Sequence, residues 1–258
     1  MILRRLAQQL REQNWAAIFI EFVLLVLGVF LGIQVANWNE ARQERALEAE
    51  YIARLQRDFG AIDARLTINM TRWENTAFAP IRLINDLDAF RQLGTWPRAK
   101  AEMLRDLDAT MGSRIPAPRA ASYAELLSAG RLGLLRDRRL REALADYDTQ
   151  AGFTLKAYDV LMQRADPQRS TLVKHLRFDR GAHPAQMNPD DILRNGGDPW
   201  ADVDLVQLAV DPGLETALNT FANASYNHVL NVRLQQAKAH AVMALREPDG
   251  NRTEAAPR

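Results

Sequence analysis

The chain has 258 residues, of which 47% are hydrophobic and 25% charged, and its formal net charge is +1 at pH 7. So small a net charge produces no whole-chain field that would attract nucleic acid, and we expect no nucleic-acid partner. The sequence contains no Cys, which excludes disulfides, thiolate metal sites and cysteine nucleophiles.

The first element is an apolar stretch from Ala16 to Val35 whose strongly polar members are Glu21 and Gln34. A helix of this length rises about 30 Å, the thickness of the hydrocarbon core of a bilayer. Fourteen Leu, Ile, Phe and Val residues lie within it. They favour insertion by about 4 to 8 kcal/mol in sum, against a penalty of about 3 kcal/mol for one carboxylate. The composition therefore predicts a transmembrane helix at residues 16–37.

Two other interpretations of this stretch are a cleaved secretory signal and a buried helix of a soluble protein. A cleaved signal has a shorter apolar region and small residues before the cut, whereas Gln34, Asn37 and Trp38 stand here. A buried helix is normally shorter and bounded by loop residues, but this pattern continues into a charged helix. Trp15 and Trp38 lie at the two ends, where indole rings prefer the membrane interface. We therefore expect a signal-anchor that is retained.

Charge decides little about orientation, because a similar number of arginines lies on each side of the anchor. The short N-terminal tail favours an anchor with its N-terminus inside the cell. We therefore expect most of the chain to lie outside the cytoplasm. The predicted organisation is a cytoplasmic tail at 1–15, the anchor at 16–37, an extracytoplasmic helical bundle at 38–246 and a disordered tail at 247–258.

One face of the anchor combines a carboxyl group with small residues. At 100° per residue, Glu21, Gly28 and Gly32 fall on the same stripe of the helix. The two glycines form a G-x-x-x-G spacing, which lets membrane helices approach closely. This pattern predicts that the anchor packs against a second copy of itself or against another membrane protein. The alternative is that Glu21 lies at headgroup depth and the glycines have no part in packing.

After Trp38 the chain has the pattern of an all-α bundle that begins with a long helix. This helix is expected to end near Phe78, because Pro80 interrupts helices. Steps of three and four residues give it a buried side formed by Ile52, Leu55, Phe59, Ile62, Leu66 and Trp73.

Further helices follow from start and stop signals. They are predicted from Pro80 to about Leu93, from Pro97 to Met111, from Ser122, from about Asp137, and from Asp211 to about Arg246. Ser122 and Glu125 have the spacing of a capping box. From Phe178 to Pro212 the chain is rich in Pro and Gly and is expected to hold at most short helices.

Two blocks of the sequence resemble a known family. The block EFVLLVLGVFLGIQVANWNEARQER with YIARLQRDF, and the later block SYAELLSAGRLGLLRDRRLREALADYD, resemble an uncharacterised family of bacterial membrane-anchored proteins. Its members open with a Glu-led apolar helix that ends in Q-x-x-N-W-N-E. Ala36 stands here where the family usually has Asn. The resemblance implies a single-pass, helix-rich protein with no assigned activity, and it supplies no catalytic residue.

The final predicted helix carries Asn219, Asn223, Asn227 and Asn231, one at every fourth residue. Because Asn is a poor helix former, its repetition on one face needs an explanation. One hypothesis is that this Asn stripe lines a polar groove that binds a small ligand or another helix. The alternative is a solvated face without a binding role.

The sequence contains no recognisable catalytic or metal-binding pattern. Its four His residues, at 175, 183, 228 and 240, lack ligand spacing, and neither a P-loop nor a G-x-S-x-G motif occurs. We therefore expect no catalytic residue, no metal and no cofactor. The expected function is that of a membrane-anchored helical interaction protein, scaffold or sensor-like and non-enzymatic. The alternative is an envelope enzyme using scattered carboxylates, or a small-ligand-binding periplasmic domain that uses the Asn stripe.

Overall fold

The computed structural model describes residues 15–112, 119–180 and 200–245. These residues form six α-helices, one 3-10 turn and one two-stranded sheet, which confirms the predicted all-α class. Residues 1–14 and the predicted tail at 247–258 lie outside the described part. In chain order the elements are α1 (Trp15–Leu93), α2 (Lys100–Met111), α3 (Ala121–Ser128), the 3-10 turn (Leu132–Leu134), α4 (Arg138–Val173), β1 (Leu176–Phe178), β2 (Trp200–Val203), α5 (Leu205–Ala209) and α6 (Leu214–Ala244).

The chain divides into two units after Tyr51, and the first unit contains the predicted anchor. Its apolar side chains from Phe19 to Val35 lie on the surface, and Leu25, for example, is 65% exposed. Helix α1 is long and apolar enough to cross a membrane. It also continues without a break into the long helix that the sequence predicted. The domain boundary at residues 37 and 38 stays a prediction.

The core of the second unit contains the predicted apolar side of α1. Leu55, Phe59, Ile62, Leu66 and Trp73 are all buried, whereas Ile52 is half-buried. The interpretation is therefore confirmed for five of the six predicted residues. The ring of Phe59 meets the ring of Tyr147 on α4 edge-on, with 4.8 Å between centroids. The apolar side of α1 is therefore covered by a helix almost ninety residues further along the chain.

Helices α4 and α6 pair in antiparallel directions. Near the start of α4, Gln235 Nε2 donates to the Tyr147 hydroxyl at 3.0 Å, and Lys238 Nζ lies 2.7 Å from an oxygen of Asp146. Further along α4, Arg164 lies beside Asn219, near the start of α6. Residue numbers in the contacting pairs therefore increase along α4 as they decrease along α6. The two helices run side by side for most of their lengths.

The predicted helix end before Pro80 is wrong, because α1 passes through Pro80 and ends at Leu93. An internal proline removes one backbone hydrogen bond and costs about 3 kcal/mol. Here Ala77, Leu83 and Leu87, on both sides of the proline, are buried. Burying each leucine contributes about 2 kcal/mol, so the packing on either side outweighs the cost of the proline.

Helix α2 begins at Lys100 and not at Pro97 as predicted. One of the two residues between them, Arg98, reaches back to α1, where its Nε lies 3.0 Å from each carboxylate oxygen of Asp86. Asp86 is buried, and a buried carboxylate needs a cation and hydrogen bonds. Pairing with Asp86 thus accounts for an extended segment where the local sequence favoured a helix.

The predicted capping box at Ser122 is also wrong, since α3 starts at Ala121 and no side chain of its own caps it. The backbone N–H of Ser122 donates instead to Asp58 Oδ2 on α1, at 2.8 Å. Glu125, the other half of the box, forms an ion pair with Arg54. Asp58 of α1 therefore accepts the hydrogen bond that Glu125 was expected to accept, and Glu125 pairs with α1 instead.

A short sheet that was not predicted joins residues just before and within the segment from Phe178 to Pro212. Strands β1 and β2 are antiparallel and pair Leu176 with Val203 and Arg177 with Asp202. Arg177 Nη2 lies 2.6 Å from Asp202 across the sheet. Strands of three and four residues are too short to show an alternating pattern, so this sheet could not be predicted from the sequence.

The first residue of α6 is Leu214, three residues after Asp211, where the helix was predicted to begin. Asp211 is nearly buried, and its oxygens accept from Lys174 and His175, each at 2.7 Å, and from the backbone N–H of Gly213. The hydrogen bonds from Lys174 and His175 hold the pKa of Asp211 well below its usual value. Asp211 therefore connects the end of α4 to the start of α6.

Candidate functional site

The Asn stripe lies along the surface of α6, beside α4. Asn219, Asn223 and Asn227 are exposed and Asn231 is half-buried. A residue four positions further on, Gln235, continues the line but is fully buried. The stripe is therefore a surface feature at the start of α6 and enters the core after Asn231.

The four amides of the stripe differ in their hydrogen bonds. Asn227 Nδ2 donates to the backbone carbonyl of Asn223, and Asn231 Nδ2 donates to that of Asn227, each at 2.9 Å. Asn231 also accepts from Gln150 Nε2 on α4, at 3.2 Å. Asn219 has no hydrogen-bond partner in the described part of the chain. Asn231 is thus a structural residue, whereas Asn219 has its full hydrogen-bonding capacity available.

A groove runs between α4 and α6 and consists of two adjoining depressions, with volumes of about 500 and 320 Å³. Arg164 lines both of them. All the residues that line the larger depression have polar side chains, and besides Arg164 they are Thr216, Asn219, Thr220 and Asn223. The smaller one is partly apolar, and its other lining residues are Phe153, Lys156, Ala157, Val160, Ala224, Asn227 and Asn231.

The groove carries positive charge that no residue of the described structure neutralises. Lys156 and Arg164 are exposed and form no ion pair with any residue of 15–112, 119–180 or 200–245. The described residues that line the groove include no carboxylate. Beyond it, by contrast, Arg169 lies 3.5 Å from Asp166 and Lys238 lies 2.7 Å from Asp146. The groove is therefore a positively charged surface whose donors are open to solvent.

His228 directly follows the groove residue Asn227, but it does not line the groove and is fully buried. Its ring centroid lies 4.1 Å from that of Trp73 and 5.7 Å from that of Tyr158. Neither ring nitrogen has a hydrogen-bond partner in the described structure, and the same holds for the nearby Ser225 hydroxyl. Burial lowers the pKa of His228 from 6.5 to about 4. His228 is a neutral packing residue at pH 7.

The other described histidines pair with carboxylates. His175 Nε2 lies 2.7 Å from Asp211 and His240 Nε2 lies 2.7 Å from Asp63. In neither pair does a Ser or Thr hydroxyl of the described residues hydrogen-bond to the ring. The described part of the chain contains no group of three or more metal-ligating side chains. The pair of His240 and Asp63 joins α6 to α1, and the pair of His175 and Asp211 joins the turn after α4 to the residues before α6. Neither pair forms a nucleophile–base arrangement.

The predicted residues of the anchor lie along the exposed surface of α1. Neither Gly28 nor Gly32 has an atom within 4 Å of where a Cβ would lie, so no contact among the described residues requires a glycine there. Trp38 is exposed, and the Arg42 guanidinium lies 5.9 Å from its ring centroid. The side chain of Trp15 lies outside the described structure.

Comparisons with family models, with curated proteins and with solved structures gave no match. The resemblance of the two sequence blocks to a family of membrane-anchored proteins therefore stays a prediction. What the chain does has to be argued from its own residues.

Proposed function

We propose that this chain is a single-pass protein of the bacterial inner membrane that acts by binding other molecules rather than by catalysis. Residues 16–37 are its anchor, and the helical domain that follows lies in the periplasm. The family resemblance in the two sequence blocks is part of the same proposal. Its partners are the lipid bilayer and either a second copy of the chain or another membrane protein.

The observation that carries the proposal is the exposed apolar surface between Phe19 and Val35. Large side chains such as Phe22, Leu24 and Leu31 are each about 60% exposed. Burying one side chain of this size is worth about 2 kcal/mol. A surface with more than ten of them, wrapped around a helix long enough to span a bilayer, is unfavourable in water and suits lipid.

The proposal of a partner within the membrane rests on Glu21, Gly28 and Gly32. A glycine inside a helix costs about 1 kcal/mol relative to alanine, and neither glycine is needed for packing within the chain. Small residues four apart suit close contact with a second helix. A carboxyl group on the same face is costly in lipid unless a partner covers it.

Membrane insertion is tested by washing native membranes with alkaline carbonate and following the full-length chain. We expect it to stay in the membrane pellet and to keep its N-terminus, because the segment is not cleaved. Protease added to spheroplasts should then digest the helical domain and leave a short fragment with the anchor. Release by carbonate, or a new N-terminus after Trp38, contradicts the proposal.

Association of the anchor is tested with a transmembrane reporter assay. Gly28→Ile and Gly32→Ile together should abolish the association signal, since they place branched side chains at the contact. Leu27→Ile and Phe30→Ile, on the opposite face of the helix, are the matched control and should keep it. An equal signal from both variants contradicts self-association, and cross-linking in native membranes then tests for a different membrane partner.

A further inference from the structure

We propose that the groove between α4 and α6 binds an organic carboxylate with an apolar body, whose carboxylate pairs with Arg164. This inference goes beyond the proposed function, because binding in the groove does not require the anchor to cross a membrane. It assigns a ligand class to the Asn stripe.

The polar half of the groove supplies the donors that a carboxylate needs. Arg164 is exposed and has no acceptor among the described residues, and the same is true of the Thr216 hydroxyl and of the Asn219 amide. A guanidinium binds a carboxylate through two parallel hydrogen bonds. Amide and hydroxyl donors beside it then satisfy the remaining oxygen lone pairs.

The second half of the groove supplies an apolar surface. Phe153 is 56% exposed and lines the smaller depression together with Ala157 and Val160 of α4 and Ala224 of α6. Because Arg164 belongs to both depressions, a ligand whose carboxylate meets Arg164 can place its apolar body against Phe153. Covering this surface removes apolar area from water and so favours binding.

The arrangement favours a small organic acid over two other anionic ligands, inorganic phosphate and an acidic protein helix. Inorganic phosphate would use the donors but leave Phe153 and Val160 in water. An acidic protein helix would need apolar contacts along the whole groove, whereas the α6 side is lined by amides and hydroxyls near Arg164. A volume of a few hundred cubic ångströms in each depression lies within the range of small-molecule sites.

The test uses the full-length chain in nanodiscs and isothermal calorimetry, with empty nanodiscs as the blank. The probes are acetate, hexanoate and 3-phenylpropanoate, with 3-phenylpropanol and inorganic phosphate as comparisons. We expect saturable binding of hexanoate or 3-phenylpropanoate. Acetate, phosphate and the alcohol should each bind at least about tenfold more weakly, because each lacks one of the two contacts.

Two pairs of variants locate the site. Arg164→Gln should weaken binding at least about tenfold, whereas Arg169→Gln, which removes an arginine paired with Asp166, should leave it unchanged. Phe153→Ala should weaken binding of the acids with an apolar body. Phe78→Ala, which removes an equally exposed ring from α1, should not.

Three results would overturn the inference. The first is no saturable binding of any of the carboxylates, and the second is binding that Arg164→Gln leaves intact. The third is Arg164-dependent binding of a Glu-rich helical peptide without binding of the small acids, which would assign the groove to a protein segment. Carbonate extraction is measured separately, so failure here is distinguishable from failure of the membrane proposal.

Discussion

Gln150 on α4 donates from its side-chain amide to both oxygens of Asn231 on α6, at 3.3 Å to the backbone carbonyl and 3.2 Å to Oδ1. Thr154 Oγ1 donates to the same carbonyl at 3.2 Å. One residue of the Asn stripe therefore joins the two helices that form the groove. The others stand on the open surface, and this difference has consequences for stability.

Replacing Asn231 by Ala and replacing Asn219 by Ala should change stability in opposite directions. Asn231→Ala removes an acceptor of Gln150 and should lower the free energy of unfolding by about 1 kcal/mol. Asn219→Ala breaks no hydrogen bond within the described residues and should raise it by about 0.5 kcal/mol, because Ala is the better helix former. Urea denaturation followed by circular dichroism measures both. Equal effects would mean that the Asn stripe acts as a uniform solvated face.

The buried ring of His228 should make the fold sensitive to acid. Its pKa is about 4 in the folded protein, against 6.5 for an ordinary histidine, so the unfolded chain binds the proton more readily. Above pH 6.5 the ring is neutral in both the folded and the unfolded chain, so its protonation costs no stability. Stability is lost as the pH falls from 6.5 towards 4, by up to about 1.4 kcal/mol per pH unit.

His228→Phe tests the assignment, because it keeps a ring beside Trp73 and removes both unpartnered nitrogens. The slope of unfolding free energy against pH should become shallower between pH 6.5 and 4. His240→Gln is the control, since His240 is exposed, and it should retain the slope. If His228→Phe kept the slope of the parent protein, the loss of stability in acid would have to come from another group.

The helical class and the buried side of α1 could be predicted because both depend on local spacing. Leu55, Phe59 and Ile62 follow the helical period in the sequence and are buried in the structure. The end of α1 could not be predicted in this way. The burial of Leu83 and Leu87 beyond the proline decides it, and this outweighs the local effect of Pro80.

The groove was predicted in part. The α6 side of the groove could be predicted, because Asn at every fourth position of a helix is a local pattern that can be read from the sequence. The contributions of Phe153 and Arg164 were missed, because they depend on which face of α4 lies beside α6. His228 was missed as a buried group for a similar reason, since its neighbour Trp73 lies more than 150 residues earlier.

The ion cluster between α1 and α2 should be a major source of stability. Arg98 binds Asp86 and also lies 2.8 Å from Asp106, which Arg82 contacts at 2.9 Å. The two carboxylates are nearly buried, and hydrogen bonding to Asp86 is the main cause that raises the pKa of Arg98 further. Arg98→Met leaves Asp86 without its cation and should lower the free energy of unfolding by about 3 kcal/mol.

The double variant Asp86→Leu with Arg98→Met removes both charges of this pair. It should recover much of the stability, because the penalty comes from a buried charge left without a partner. Urea denaturation of the parent, the single variant and the double variant measures the difference. If the double variant were less stable than Arg98→Met, Asp86 would stabilise the fold even without Arg98, and the explanation by an unpaired buried charge would be wrong.

The start of α3 should depend on Asp58 of α1 and not on Ser122. Asp58 Oδ2 accepts from the backbone N–H of Ser122 at 2.8 Å, and a negative charge near the first turn of a helix is favourable. Asp58→Ala should therefore cost about 1 to 2 kcal/mol. The Ser122 side chain makes no capping hydrogen bond, so Ser122→Ala should change stability by less than about 0.5 kcal/mol. Urea denaturation distinguishes the two variants. A larger loss of stability for Ser122→Ala than for Asp58→Ala would support the capping box predicted from the sequence.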